Sequence, residues 1–240
     1  MLFILSFVSA LFSSYSFYRD KNDSDSNWYL LGGRAFLIHG VSVLIVIALI
    51  FFMMLSQFYE YQYVWQHVSA DLPMKYIFSA FWEGQEGSFL LWSFWHVILG
   101  FIILFKKSEW SGPVLGVLAL IQVFITSMIL GVYLPFGDEI RIGVSPFVLL
   151  RDMMDAPIFS NPEYLSLIQG QGLNALLQNY WMTIHPPTLF LGFASTSIPF
   201  CFAISGLWKK DFGASLKAAF PWALFSAFIL GLGILMGGAW

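Results

Sequence analysis

One histidine stands in a setting that suits a metal ligand. In the stretch NYWMTIHPPTLFLGF, residues 179–193, His185 is followed directly by Pro186 and Pro187 and then by a long apolar run. Prolines are tolerated at the beginning of a helix, and the first of them restricts the backbone of His185. A rigidly held imidazole at a membrane boundary suits an axial metal ligand. The alternative is an interfacial histidine that only caps the helix.

A second group of candidate residues lies in the stretch FWEGQEGSFLLWSFWH, where a loop with two glycines runs into an apolar segment. The glycines allow close approach of a ligand to the backbone, and Trp82 and Trp92 offer a surface for a flat, partly apolar molecule. Glu83 and Glu86 lie beside this surface. The alternative is a tight re-entry into the membrane, in which Ser88 or Glu86 satisfies the free amides of the helix start.

The other three histidines are weaker candidates. His39 and His96 fall within apolar runs, about 24 Å and about 12 Å from the outer helix ends at about 1.5 Å per residue. Two ligands of one iron lie about 4 Å apart, so this pair is expected to pack and hydrogen-bond instead. His67 can reach His185 only if two loops fold together, which the sequence leaves open. Cys201 is the single cysteine, so the chain holds neither a disulfide nor a CxxC pair.

Membrane-spanning helices are expected to position these residues. Hydrophobic residues make up 58% of the 240 residues and charged residues only 10%, unlike a soluble domain. Six apolar runs are long enough, at about 17 to 25 residues each, to cross the hydrocarbon core. They predict an all-α, polytopic transmembrane bundle that forms a single membrane domain over residues 1–240. The predicted spans lie near residues 1–18, 35–55, 88–105, 113–134, 186–208 and 220–240.

The loops between these spans differ in charge. One set of loops holds most of the basic residues, namely Arg19, Lys21, Arg34, Lys106, Lys107, Lys209, Lys210 and Lys217. The other set holds Lys75, Arg141 and Arg151, together with Glu60, Asp71, Glu83, Glu86, Asp138, Glu139, Asp152, Asp155 and Glu163. Basic residues favour the cytoplasmic side. The N-terminus is therefore predicted to face outward, with loops 56–87 and 135–185 on the outer face.

The outer loops are also where the chemically active residue types gather, so any function is expected on that face. The chain carries a net charge of −3 and has no basic cluster, which argues against nucleic acid as a partner.

Two motifs in this order resemble the CcmF family of cytochrome c biogenesis proteins, within the wider CcmF/CcsA heme-handling superfamily. They are YEYQYVWQHVSADLPMKYIFSAFWEGQEGSFLLW and GQGLNALLQNYWMTIHPPTLFLGFAS. The resemblance extends from about Ser56 to Trp240 and corresponds to the N-terminal portion of that family. It implies a multi-pass protein of the bacterial plasma membrane that attaches heme to the CxxCH thiols of apocytochrome c on the periplasmic side. Other cytochrome c maturation proteins, including a heme chaperone, are the implied partners.

The resemblance also assigns residues. His185 matches the family's HPP histidine, one of two outer axial ligands of heme iron, and GGAW looks like the leading edge of its tryptophan-rich segment, with Trp240 as the first ring. Gln85 replaces the glycine or histidine of many members, a change that we cannot interpret. The remaining heme ligands are expected beyond residue 240. We therefore expect this piece alone neither to bind heme tightly nor to act as a heme lyase.

Two other functions stay open on the sequence. A scaffold subunit of a maturation complex would keep the loops but would not need the histidine. A small-molecule transporter subunit is less well supported, because the spans show neither an inverted repeat nor matched broken helices.

Overall fold

The computed structural model describes residues 1–20, 27–134 and 140–240. Within these ranges the chain is a bundle of apolar helices with one short pair of strands, which confirms the predicted all-α membrane fold. Lys21, Asp138 and Glu139, which entered the comparison of loop charges, lie outside the described residues.

Six long helices form the bundle. They are α1 (Leu2–Asp20), α2 (Trp28–Leu55), α5 (Gln85–Lys106), α6 (Ser111–Ser127), α9 (Tyr180–Lys209) and α10 (Phe212–Ala239). In the described part of the chain, all except α6 are long and apolar enough to cross a membrane, and α6 is a shorter apolar helix of 17 residues. Three of them, α2, α9 and α10, begin six to eight residues before the predicted apolar runs, because the helical backbone continues into their polar and aromatic ends.

Short elements fill the two segments that were predicted as outer loops. The first segment contains α3 (Gln62–His67) and α4 (Met74–Ala80). The second contains the strand β2 (Ile140–Ile142), then α7 (Leu150–Met153) and α8 (Tyr164–Leu167). The antiparallel partner of β2, β1 (Val132–Leu134), lies within the predicted span 113–134, because α6 already ends at Ser127. Single turns of 3-10 helix lie between α7 and α8, at Pro157–Ser160, and after α8, at Ala175–Leu177.

Large apolar side chains form two buried clusters. Phe36 and Leu118 lie at the centre of one cluster, where α2, α5, α6 and α9 meet. Met54 and Phe81 belong to the other, which joins α2 and α5 to the short helices of the first outer segment. The second cluster therefore ties the outer segment to the bundle, because both contribute apolar side chains that folding removes from water.

Helices α9 and α10 form a tight antiparallel hairpin. Lys210 adopts the left-handed conformation that ends α9, with φ of 58°. The carboxylate of Asp211 then accepts a hydrogen bond from the Ala214 amide, at 3.1 Å, and caps α10. Gly233 lies against Leu189, where a methyl group would come within 2.9 Å of the leucine Cα. Small residues of this kind let the two helices approach closely.

A chain of hydrogen bonds crosses the centre of the bundle. The Ser6 hydroxyl donates to His39 Nδ1 at 2.9 Å, and His39 Nε2–H donates to the Gln122 carbonyl oxygen at 3.1 Å. The Gln122 amide donates to His96 Nδ1 at 2.8 Å, and His96 Nε2–H donates to the Ser197 hydroxyl at 3.0 Å. This polar chain joins α1, α2, α6, α5 and α9 and satisfies both ring nitrogens of each histidine.

The polar chain brings the two intramembrane histidines within reach of one side chain, since Gln122 bonds both His39 and His96. Helix α2 ends at Leu55, as predicted, whereas α5 begins at Gln85, three residues before the predicted span. His96 therefore lies further from its outer helix end than predicted, at about 16 Å with about 1.5 Å per residue. The expectation that these histidines hydrogen-bond is confirmed.

Replacing Gln122 tests the energetic weight of the polar chain. Gln122→Leu removes the partner of one nitrogen on each histidine, and unpaired buried polar groups are costly. We expect a free energy of unfolding lower by about 2 kcal/mol, measured by denaturation in mixed detergent micelles.

Ser42→Ala provides the matched control. The Ser42 hydroxyl is also buried, but it donates only to the Ile38 carbonyl of its own helix, at 2.8 Å. Its loss leaves no other side chain unpaired, so the change should be within about 0.5 kcal/mol. Equal stability of the two variants would contradict the proposed weight of the polar chain.

Candidate functional site

His185 lies in the second turn of α9, with one ring nitrogen bound to the neighbouring helix. Its Nδ1–H donates to the carbonyl oxygen of Gly233 on α10, at 3.0 Å. A carbonyl oxygen only accepts, so the proton is on Nδ1 and the neutral ring keeps a lone pair on Nε2. Within the described residues, Nε2 has no hydrogen-bond partner. A fixed tautomer with the second nitrogen available is the arrangement that metal-binding histidines adopt.

Helix α9 begins earlier than the sequence predicts. The side-chain oxygen of Asn179 accepts a hydrogen bond from the Met182 amide at 3.1 Å, and the helix starts at Tyr180. His185 is therefore inside the helix and does not precede it, and the two prolines that follow also lie inside. The sequence contained a signal for this start, since asparagine is a strong helix cap. The predicted span began at the prolines because the long apolar run begins there.

The prolines leave a backbone carbonyl without its helical partner. Pro186 has no N–H to donate to the Met182 carbonyl, which is four residues earlier. The indole N–H of Trp82, from the loop before α5, donates to this carbonyl instead, at 2.9 Å. The loop that contains Trp82 is thus bound to the first turns of the helix that carries the histidine.

The end of α10 borders the His185 ring. The centres of the His185 and Trp240 rings are 5.6 Å apart, with the rings tilted by 66° in an edge contact. Gly237 faces the imidazole, and a methyl group there would come within 2.8 Å of Cε1. Trp240 is 44% exposed, so its indole offers apolar surface beside the histidine.

The glycines of the loop before α5 are required by packing. A methyl group on Gly87 would overlap the Phe81 carbonyl, which accepts a hydrogen bond from the buried Tyr63 hydroxyl. Burial raises the pKa of Tyr63 well above its usual value, so the hydroxyl stays protonated and can donate. Ser88, one of the two residues considered as a cap of α5, does not cap the helix. Its hydroxyl donates to the Trp82 carbonyl at 2.8 Å.

Glu83, on the same loop, lies against His67 at the end of α3. The Glu83 carboxylate lies 3.0 Å from His67 Nε2, and His67 Nδ1 donates to the Tyr63 carbonyl at 2.7 Å. Both nitrogens of His67 are therefore engaged. Glu86 occupies the first turn of α5, where a negative charge interacts favourably with the helix dipole.

The two outer segments fold together, which the sequence had left open. The Gln171 amide donates to the Trp65 carbonyl at 2.7 Å, and the Leu150 amide donates to the Glu60 carbonyl at 2.8 Å. Gly170 lies against the end of α3, where a methyl group would overlap the Val68 carbonyl. The GQG stretch is therefore a packing motif that joins the two segments.

Hydrogen bonding separates His185 from the other three histidines. His39, His67 and His96 each have partners on both ring nitrogens. Among the described residues, His185 is the one histidine with a partner on a single nitrogen. Its position in the sequence suggested this role, but the carbonyl of Gly233, which fixes the tautomer, had no signal beyond a glycine-rich helix end.

The comparisons with known proteins identify a family. Residues 82–240 match the family model for cytochrome C assembly protein, which is more than half of the chain. The chain belongs to the cytochrome c assembly protein family.

Curated relatives place this family member beside CcmF, as the sequence motifs predicted. The chain is 29% identical over 205 residues to cytochrome c-type biogenesis protein CcmF of Haemophilus influenzae, covering 83% of this chain and 28% of that protein. It is 31% identical over 183 residues to cytochrome c-type biogenesis protein CcmF of Escherichia coli strain K12, covering 74% and 25%. The chain spans about a quarter of the length of these relatives.

A solved structure shares the fold. Cytochrome c heme lyase CcmF superimposes with a TM-score of 0.74 at 19% sequence identity, covering 97% of this chain and 33% of that one. At this identity the likeness establishes the helical fold of this chain. Its chemistry has to be argued from its own residues.

Gly170→Ala tests whether this contact holds the two outer segments together. The added methyl group would overlap the Val68 carbonyl, so we expect the outer segments to separate and limited proteolysis there to become at least about tenfold faster, since cleavage follows the open population. Gly213→Ala is the control, because a methyl group at Gly213 meets nothing within 4 Å. Equal proteolysis rates for the two variants would show that the contact is dispensable.

Proposed function

We propose that this chain provides His185 as one axial ligand of heme iron in a protein that attaches heme to apocytochrome c. The observation that carries the proposal is the state of its imidazole, with Nδ1–H bound to Gly233 and Nε2 free of hydrogen-bond partners within the described residues. Membership of the cytochrome c assembly family supports the same function.

The residues present fit a heme ligand. The Gly233 carbonyl fixes both the tautomer and the orientation of the ring, and such outer partners raise the basicity of a metal-binding histidine. The ring lies near the beginning of α9 and beside the exposed indole of Trp240. An apolar ring next to the ligand suits the flat face of a porphyrin.

The loop before α5 contributes the remaining candidates for contact with heme or its protein partner. Trp82 donates to the backbone three residues before His185, so this loop lies close to the histidine. Glu83 is paired with His67, and Glu86 lies at the beginning of α5. In this proposal, these two side chains are candidates for contact with heme or with an apocytochrome.

The chemistry of the proposed reaction depends mainly on proximity. Heme, when bound, supplies two vinyl groups to which the cysteine thiols of a CxxCH segment add, forming thioethers. The chain would hold the iron through His185 and keep the porphyrin edge accessible, and such positioning can lower a barrier by several kcal/mol, on the order of 7 or more at best. We assign no residue as a general acid or base.

The proposed site would face the periplasm of a bacterium. The helices indicate a multi-pass membrane protein, and the excess of basic residues in the opposite loops supports an outer position for both long segments. Apocytochrome c, a heme chaperone and other maturation proteins are the proposed partners, and the lipid membrane surrounds the helices.

A heme absorption spectrum tests the ligand. In the full-length protein, purified in mild detergent under reducing conditions, His185→Gly should lose most of the signal assigned to outer-face heme, because an axial ligand is removed. Added imidazole should restore that signal, since it can occupy the space left by the missing ring.

The outcome separates the candidate functions. Loss with rescue by imidazole supports axial ligation by His185. An unchanged spectrum would contradict it, and a scaffold that does not bind heme through this histidine would become the better hypothesis.

A further inference from the structure

The indole of Trp82 makes a contact that the proposed heme site does not by itself require. Its Nε1–H donates to the Met182 carbonyl across a sequence separation of 100 residues, at 2.9 Å. Met182 is only 4% exposed. The bond therefore joins the loop before α5 to a buried residue at the beginning of α9.

The reason for this bond lies in Pro186. Proline removes the amide that would otherwise bond the Met182 carbonyl within the helix. An unpaired carbonyl in an apolar environment costs free energy, so a donor from elsewhere is favoured. Trp82 supplies it, and Met182 lies three residues, or less than one helical turn, before His185.

Trp82 is itself held from the opposite side. The Ser88 hydroxyl donates to its backbone carbonyl at 2.8 Å, and the adjacent Glu83 is paired with His67 at 3.0 Å. On its other flank, the ring of Phe81 packs against Phe51 with centres 4.6 Å apart. A donor fixed at this many points can hold the carbonyl that it binds in one place.

We propose that Trp82 is a positioning residue for His185. Its indole N–H fixes the first turns of α9, so that His185 Nε2 points to one place while the Gly233 carbonyl sets the rotation of the ring. This inference rests on the proposed function, because it concerns the direction in which a heme ligand points. It gives Trp82 a role through its N–H, which differs from a role as a flat surface for the porphyrin.

Trp82→Phe separates these two roles, because phenylalanine keeps an aromatic face but has no N–H. Trp95→Phe is the matched control. The Trp95 indole nitrogen is buried and, in the described part of the chain, has no hydrogen-bond partner, and both tryptophans line the same apolar cavity of about 250 Å³. The two substitutions therefore remove the same atoms, but only the first breaks a hydrogen bond.

The first readout does not need heme. Ultraviolet resonance Raman difference spectra of the heme-free protein report hydrogen bonding of an indole N–H. Wild type minus Trp82→Phe should show a bonded indole, and wild type minus Trp95→Phe a free one. A free indole in both spectra would overturn the inference at its first step.

The second readout is the affinity for heme in the full-length protein. We expect Trp82→Phe to weaken binding about tenfold, as for other residues that orient metal ligands, and to change the electron paramagnetic resonance signal of the ferric heme. Trp95→Phe should stay within about twofold of wild type, a margin well below that effect. Free imidazole should restore the low-spin signal of Trp82→Phe, because a free ligand can orient itself at the iron without support from a helix.

The results distinguish failure of this inference from failure of the proposed function. If His185→Gly loses its heme signal but Trp82→Phe binds as tightly as Trp95→Phe, the ligand stands and the positioning role is wrong. If His185→Gly changes nothing, the proposed function fails first. Should Trp82→Phe not accumulate, benzothienylalanine at position 82 keeps the size of the indole without its N–H and answers the same question.

Discussion

Polar groups inside a bilayer must find their partners within the protein, because the hydrocarbon offers none. The arrangement of this bundle follows from that constraint. Gln122 lies between His39 and His96 and bonds both, so the helices that carry these residues are held at fixed heights. Apolar packing alone would leave such heights poorly defined, since lipid tails are as apolar as the side chains that face them.

The same constraint shapes the beginning of α9. Proline in a helix leaves a carbonyl without a donor, and the fold meets this need with an indole from a distant loop. The Gly233 carbonyl, although part of α10, accepts a second bond from His185. The two carbonyls thus link a histidine on one helix to a loop on one side and to a helix on the other.

The sequence revealed those parts of this arrangement that depend on local patterns. Apolar runs identified the helices, and the HPP stretch identified His185. Hydrogen bonds between residues such as His39 and Gln122, 83 positions apart, leave no periodic trace in a single sequence. The start of α9 was predicted too late, because the apolar run begins at the prolines whereas the helix begins at the asparagine cap. The glycines of the EGQEG stretch suggested ligand contacts, yet Gly87 is explained by backbone packing, as is Gly170 of the GQG stretch.

Residue type did not separate the four histidines, since each lies in or near the membrane and each is able to bind a metal. Their hydrogen bonds do separate them. An imidazole with both nitrogens engaged must lose a bond before it can bind iron, and inside a protein that loss is costly. His67 would have to release either the Tyr63 carbonyl or Glu83. His185 needs no such exchange, because the bond that it makes to Gly233 orients the ring and leaves Nε2 to the ligand.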